Sequence, residues 1–326
     1  MTNRQRIVNV LHFRPVDRLP HMEWATWWDQ TLARWHSEGM PKDAYPFTYF
    51  GLDVHRQFWL TAIQRDKCPP ERSQGGWISS AQDYENLRPF LYNPRIIQDI
   101  SAHLKEIKPM HDRGDFPVWI TLEGFFWFPR VLFGIEEHLY SFYDEPDLYH
   151  QICHDLVQWQ LAVIEEFCEI IPPDFMTFAE DMSYNYGSMI SKATFDEFIL
   201  PYYHMVVPVL KKHGIKVLVD SDGNVEEMIP WFMEGGIEGI LPLERQAGTD
   251  IAEISRKYPE FLMVGGFDKM TMKHGEAAMR AEFERILPVM RAGGYIPSVD
   301  HQTPPEVSIE NYKLYVRLLK EYCGKI

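Results

Sequence analysis

The sequence predicts an α/β fold, specifically a (β/α)8 TIM barrel with N-terminal helical additions over the barrel mouth. Short apolar, β-prone runs alternate with longer stretches of helical period, and several helical stretches end in glycine. That order calls for a parallel sheet. Seven or eight such units favour a closed barrel over an open sheet. The 326 residues suit this, because α/β barrels routinely run past about 250 residues as one domain.

Thr2 to His12 forms a short amphipathic helix ahead of the first expected strand, LPHMEW at 19–24. The other strands fall at 118–123, 175–181, 216–222, 239–244, 262–268 and 295–301, with a further short run at 49–53. Residues 26–115 are too long for one βα unit and supply the helices over the mouth. After Asp222, the residues Val225, Met228, Ile229, Phe232 and Met233 make one apolar stripe. Glu226 and Glu227 sit in its first turn, where the helix dipole favours anions, and Gly235-Gly236 closes it. Thr194 with Glu197, and Asp250 with Glu253, read as helix starts. Ser308 to Tyr322 forms the last helix. No linker, low-complexity tract or repeat interrupts the chain, so residues 1–326 read as a single domain.

Lys and Arg number 32 against 47 acids, a net charge of −15. Such a chain repels phosphate backbones and anionic lipid, which excludes nucleic acid and membrane surfaces as partners. No apolar run approaches the roughly 20 residues of a membrane span, and the first residues lack a signal peptide's apolar stretch. The four cysteines are scattered, with no C-x-x-C pair. A cytoplasmic protein with reduced thiols is expected. Aromatic residues make up 14% and cluster before residue 130. They serve either a flat apolar ligand or extra helical packing.

Nearly every expected strand ends in an ionisable residue: Glu23, Glu123, Glu180-Asp181, Asp220 and Asp222, Glu244, Asp268, Asp300-His301. Strand carboxyl ends converge on the catalytic face of such a barrel. A ring of carboxylates repels itself unless a cation or the substrate's protons compensate. The competing reading makes each acid a cap for the next helix. That reading is fair for Asp222, which Gly223-Asn224 follows, and weaker for Glu244 and His301. Lys269 reads as a solvated helix start. Tyr184, Asn185 and Tyr186, in the loop past Asp181, either donate hydrogen bonds to a ligand or pack. Arg130 either binds an anionic substrate group or pairs with a loop acid.

The runs SDGNVEEMIP, GILPLE, VGGFDK and SVDHQTPPEVSIENY together resemble the uroporphyrinogen decarboxylase superfamily. EDMSYNYGSMISKATFDEFILPYY and the opening PVDRLP share that resemblance. It implies a (β/α)8 barrel with its site at the strand carboxyl ends. True decarboxylases carry a basic R-Q-A-G-R run that grips a polycarboxylate, whereas this chain reads LPHMEWATWWDQ there. An acidic mouth is the wrong electrostatics for that substrate. Coenzyme M methyltransferases of the superfamily hold zinc with His and Cys. The matching positions here are Asp220, Asp222, Glu244 and His301, an oxygen-rich set that suits an oxygen-containing substrate better than a thiol.

The resemblance therefore implies a corrinoid-dependent O-demethylating methyltransferase. It would move methyl from a methoxylated, aromatic substrate to the cob(I)alamin of a partner corrinoid protein, with zinc as the metal. On that reading the catalytic residues are Glu180, Asp181, Tyr184, Asp222 and His301. Glu23, Trp24, Trp28, Trp119, Glu123, Phe126 and Tyr186 would contact substrate, with Trp27, Phe125 and Trp127 adding apolar walls. A homodimer is a further expected association. A methylcobamide:thiol methyltransferase of the coenzyme M type, a decarboxylase-like lyase and a non-catalytic binding protein are the alternatives.

Overall fold

The computed structural model describes residues 1–73 and 75–326. The strands are β1 (Arg56–Leu60), β2 (Val118–Glu123), β3 (Phe175–Ala179), β4 (Ser183–Tyr184), β5 (Gly187–Ser188), β6 (Lys216–Asp220), β7 (Gly239–Leu241), β8 (Leu262–Phe267) and β9 (Tyr295–Val299). Seven of them form one parallel sheet in the order β1-β2-β3-β6-β7-β8-β9. All its pairings are parallel, so every strand presents its carboxyl end on the same side. The remaining two make a small antiparallel hairpin just beyond β3. Buried side chains from Ile7 to Cys323 form one continuous apolar cluster. Among the described residues, no helix is long and apolar enough to cross a membrane.

Six expected strands are present, each ending at or before its expected limit. The first, at 19–24, does not form a ladder, so the expected closed eight-stranded barrel is not made among the described residues. That segment is instead tied between the two sheet edges by individual bonds. Trp24 donates from its backbone to Ser298 Oγ (3.2 Å) and from its indole to the Val299 carbonyl (2.7 Å) on β9. On the other side His21 and Asp53 exchange two bonds just before β1, each 2.9 Å. Pro20 has no N–H to give a ladder.

The expected run at 49–53 is also corrected. It ends a helix, Pro46–Phe50, stopped by Gly51 at φ 67°. The true edge strand, β1, escaped notice because its inward side chains are Gln57 and Trp59 rather than an aliphatic run. Phe58 points outward, packing its ring on His103 and Phe167 of the helix layer, so its two neighbours face the sheet interior.

The first helix spans Asn3–Leu11 with a Thr2–Gln5 capping box, and the last spans Ile309–Cys323 with Ser308 as its cap. Ser191 rather than Thr194 caps Lys192–Phe198, by accepting from the Thr194 amide. The stripe after Asp222 opens as a 3-10 turn, Glu226–Met228, before the helix Ile229–Glu234. Helices Asp29–Ser37, Ala81–Leu87 and Ile96–Arg113 occupy the long stretch before β2.

Two strand-end acids hold the scaffold, which corrects their expected role against substrate. Glu23 is buried and accepts from Tyr312 (3.1 Å) and Ser298. Glu123 is buried and accepts from the Ala62 amide (2.9 Å) and the Thr61 hydroxyl (3.0 Å), so it pins the turn after β1. Burial pushes the Glu123 carboxyl up to about 7, against the lowering effect of those two donors. Between the ordinary carboxyl range and that value, the folded chain keeps a proton that the unfolded chain has released. The contribution is therefore fully present at acid pH and is lost as pH rises to about 7. Glu123→Gln removes this dependence. Urea unfolding at stepped pH should show the variant gaining on the wild type by about 1.4 kcal/mol per pH unit across that window. Parallel pH profiles would mean that Glu123 is ionised in the fold.

Candidate active site

A cleft of about 330 Å³ opens at the seam between β9 and β1, on the carboxyl side of the sheet. Its floor is Asp181 beyond β3, Asp220 and Asp222 at the end of β6, and His301 beyond β9. Trp24 on the seam segment, Gln57 and Trp59 on β1, and Gln302 also line it. Trp24 stands edge-on to the His301 ring at 6.3 Å.

Asp222 is the shared member of two groups. One ligand atom each from Asp222, Glu244 and His301 lie within 4.8 Å of one another, and so do atoms from Asp181, Asp220 and Asp222. Of the four residues expected to hold metal, three converge, and Asp220 groups with Asp181 and Asp222 instead. The first group, with two carboxylates and an imidazole, has the donor types that suit zinc. Asp222 lies 3.6 Å from His301 Nε2, and that carboxylate raises the imidazole pKa despite partial burial. Burial, followed by the charge of Asp222, pushes Asp181 up to about 6. Burial and the charges of Asp181 and Asp222 push Asp220 well above the usual carboxylate range.

Backbone geometry sets these side chains in place. Gly223 sits at φ 82° against the Tyr184 backbone, where a Cβ would come within 2.8 Å. Its amide donates to Glu244 (2.9 Å), and Ser183 donates to the Asp222 carbonyl. The β4–β5 hairpin thus buttresses the turn that carries Asp222. Asn224, rather than Asp222, accepts the nearby Glu226 amide. This removes the capping explanation for Asp222. Capping does explain Asp268, which accepts from Met270. Asp300 is buried and bound by the amides of Arg245 and Lys269 and by the Lys269 ammonium.

The uroporphyrinogen decarboxylase (URO-D) family profile matches residues 78–322. The chain belongs to the uroporphyrinogen decarboxylase family. No curated protein matches it in sequence. Among solved structures it is similar to a methyltransferase from Methanosarcina mazei, with a TM-score of 0.71 over 99% of both chains at 18% identity. A candidate vitamin-B12-independent methionine synthase from Listeria monocytogenes aligns over 64% of each chain, with a TM-score of 0.40 and 13% identity. The first of these supports the fold, and fold by itself assigns no reaction.

Several expected site residues of this uroporphyrinogen decarboxylase family member lie outside the cleft. Glu180 is buried, accepting from the amides of Phe125 (2.9 Å), Phe126 (2.8 Å) and Trp127 (3.2 Å) and from the Tyr203 hydroxyl. Burial raises its carboxyl to about 7, against those four donors. Trp119 is core, stacked on Phe175, and Phe126 packs on His138. Trp27 and Phe125 are likewise core. Trp28, Tyr184 and Tyr186 are exposed but do not line the cleft. Gln57, Trp59 and Gln302 line it unforeseen. The one sequence signal for them was a tryptophan two residues from a glutamine in RQFWL.

Gly124 makes room for Glu180. A Cβ there would lie 2.0–2.3 Å from its carboxylate. Gly124→Ala should destabilise the fold by about 1–3 kcal/mol, as overpacking does, measured by urea denaturation. An unchanged midpoint would mean that Glu180 is free to move aside.

Proposed function

We propose that this protein is a corrinoid-dependent O-demethylating methyltransferase. It takes a methyl group from the oxygen of a methoxylated substrate, an aromatic ether in our reading, and passes it to cob(I)alamin carried by a separate corrinoid protein. The observation that carries the proposal is the convergence of Asp222, Glu244 and His301 beside a carboxylate-floored cleft. No cysteine is among the lining residues. The three in the core are buried, and Cys68 is partly buried.

Asp222, Glu244 and His301 would hold zinc, which when bound supplies Lewis acidity toward an ether oxygen. In the transfer the carbon–oxygen bond breaks, the oxygen keeps the bonding pair, and the methyl group passes to the partner's cob(I)alamin. Trp24 and Trp59 give the substrate flat apolar walls. Asp181, raised to about 6, is placed to hold a proton for the oxygen as charge develops on it. An acidic floor opposes a polycarboxylate substrate, which argues against decarboxylation. In this reading the seam segment at 19–24 fills the eighth position of a barrel.

Elemental analysis of protein purified without chelator should give about one zinc per chain, lost in Asp222→Ala. Because the bound imidazole must be neutral, zinc affinity should fall as pH drops into the raised range of His301. His301→Ala and Glu244→Ala should stay folded by circular dichroism while losing at least about 100-fold in methyl transfer from a methoxybenzene to cob(I)alamin. Full activity in both variants, or methyl transfer to a thiol alone, would overturn the assignment.

A further inference from the structure

We infer that Arg130 is a positioning residue, which holds Asp181 in its backbone conformation and so aims the Asp181 carboxylate into the cleft. This rests on the cleft being the reaction site. It does not rest on the identity of the methyl donor.

Asp181 sits at φ 43°, in the left-handed region. Most residues with a Cβ are disfavoured there and Asp is among the more tolerant, so bonds to the neighbouring backbone select this conformation over the extended one. The Asp181 amide reaches the Asp220 carbonyl at 3.4 Å and the Met182 amide donates to Ser221 Oγ at 3.2 Å; the other holding groups come from one short helix, Trp127–Phe133. Its amino-terminal amide, from Trp127, binds the Glu180 carboxylate. Three residues later Arg130 Nη1 donates to the Asp181 carbonyl at 3.0 Å. Two consecutive residues of the β3 end are thus gripped by the same helix, one through its side chain and one through its backbone. With the carbonyl held, the Asp181 side chain lies beside the Asp222 amide, 3.4 Å away, and in the group with Asp220 and Asp222.

Arg130 makes no close ion pair among the described residues, and its charge favours the ionised form of the Asp181 carboxyl. Its guanidinium lies over the Trp127 ring, 5.3 Å from the centroid, which limits its swing. It also lines a second cavity of about 560 Å³, with Trp127 and Arg65. A small solute can therefore reach the guanidinium site without entering the cleft.

The test uses Arg130→Lys, Arg130→Met and Arg130→Ala, with Arg130→Gln in place of the methionine variant if that one does not fold. Crystal structures report the Asp181 backbone directly. The lysine variant should keep positive φ at Asp181. The methionine variant should lose it, with the carboxylate turned away from Asp222. An unmoved Asp181 in the methionine or glutamine variant overturns the inference.

Cobalt(II) titration of the full-length protein is the second readout. Asp181 accepts from the amide of Asp222, a member of the metal group, so affinity should fall about 10–100-fold in Arg130→Met, the usual effect of disturbing a group that orients a metal ligand, and be kept within a few-fold by Arg130→Lys. In Arg130→Ala, added methylguanidinium should restore it through the second cavity. Unchanged affinity in the methionine and alanine variants overturns the inference. If the wild type takes up no cobalt, the metal assignment fails and the crystal structures alone decide the role of Arg130.

Discussion

The fully buried Glu180 carboxylate organises the mouth of the sheet. Three backbone amides and a tyrosine hydroxyl converge on it, joining the end of β3 to the start of the helix after β2. A carboxyl group out of water is tolerable only when such donors surround it. Gly124 leaves the space it needs. Because Glu180 cannot move without breaking these bonds, the next residue, Asp181, leaves the strand from a fixed point.

Besides the helix cap Asp268 and the metal-group member Glu244, the strand-end acids fall into two physical kinds. Glu23, Glu123, Glu180 and Asp300 are buried and saturated with donors, and each ties one strand end to a neighbouring element. Asp181, Asp220 and Asp222 lie together at the cleft floor, where burial, and then the charges of the neighbouring acids, oppose ionisation of Asp181 and Asp220. The first kind contributes rigidity. The second leaves an electrostatic demand that a cation, a proton or a ligand must meet. Asp222 is central to that demand because it belongs to both close groups and also faces His301.

The cleft lies where the sheet ladder is interrupted. A regular strand at 19–24 would fill the space between β9 and β1. The segment is instead held by side-chain bonds from Trp24, Glu23 and Asp53. Trp59, half exposed on an interior strand face, is the counterpart of that gap. A scaffold stabilised in this way can leave an opening at its seam, because the bonds across it are few and local.

The sequence by itself determined the α/β class, six of the seven sheet strands and the acids at or just beyond their ends, since apolar runs, glycine stops and acids after strands are local signals. It also grouped Asp222, Glu244 and His301 with Asp220, and the structure brings ligand atoms of the first three within 4.8 Å of one another. It could not tell that Glu23, Glu123 and Glu180 point into donors while Asp181 points into the cleft, because adjacent residues such as Glu180 and Asp181 carry the same charge and differ only in backbone direction. Nor could it find β1, whose Gln57 and Trp59 face a cavity instead of a core. Which acids are satisfied and which are left facing one another depends on groups up to hundreds of residues away, as with Glu23 and Tyr312. Only the tertiary structure brings those groups together.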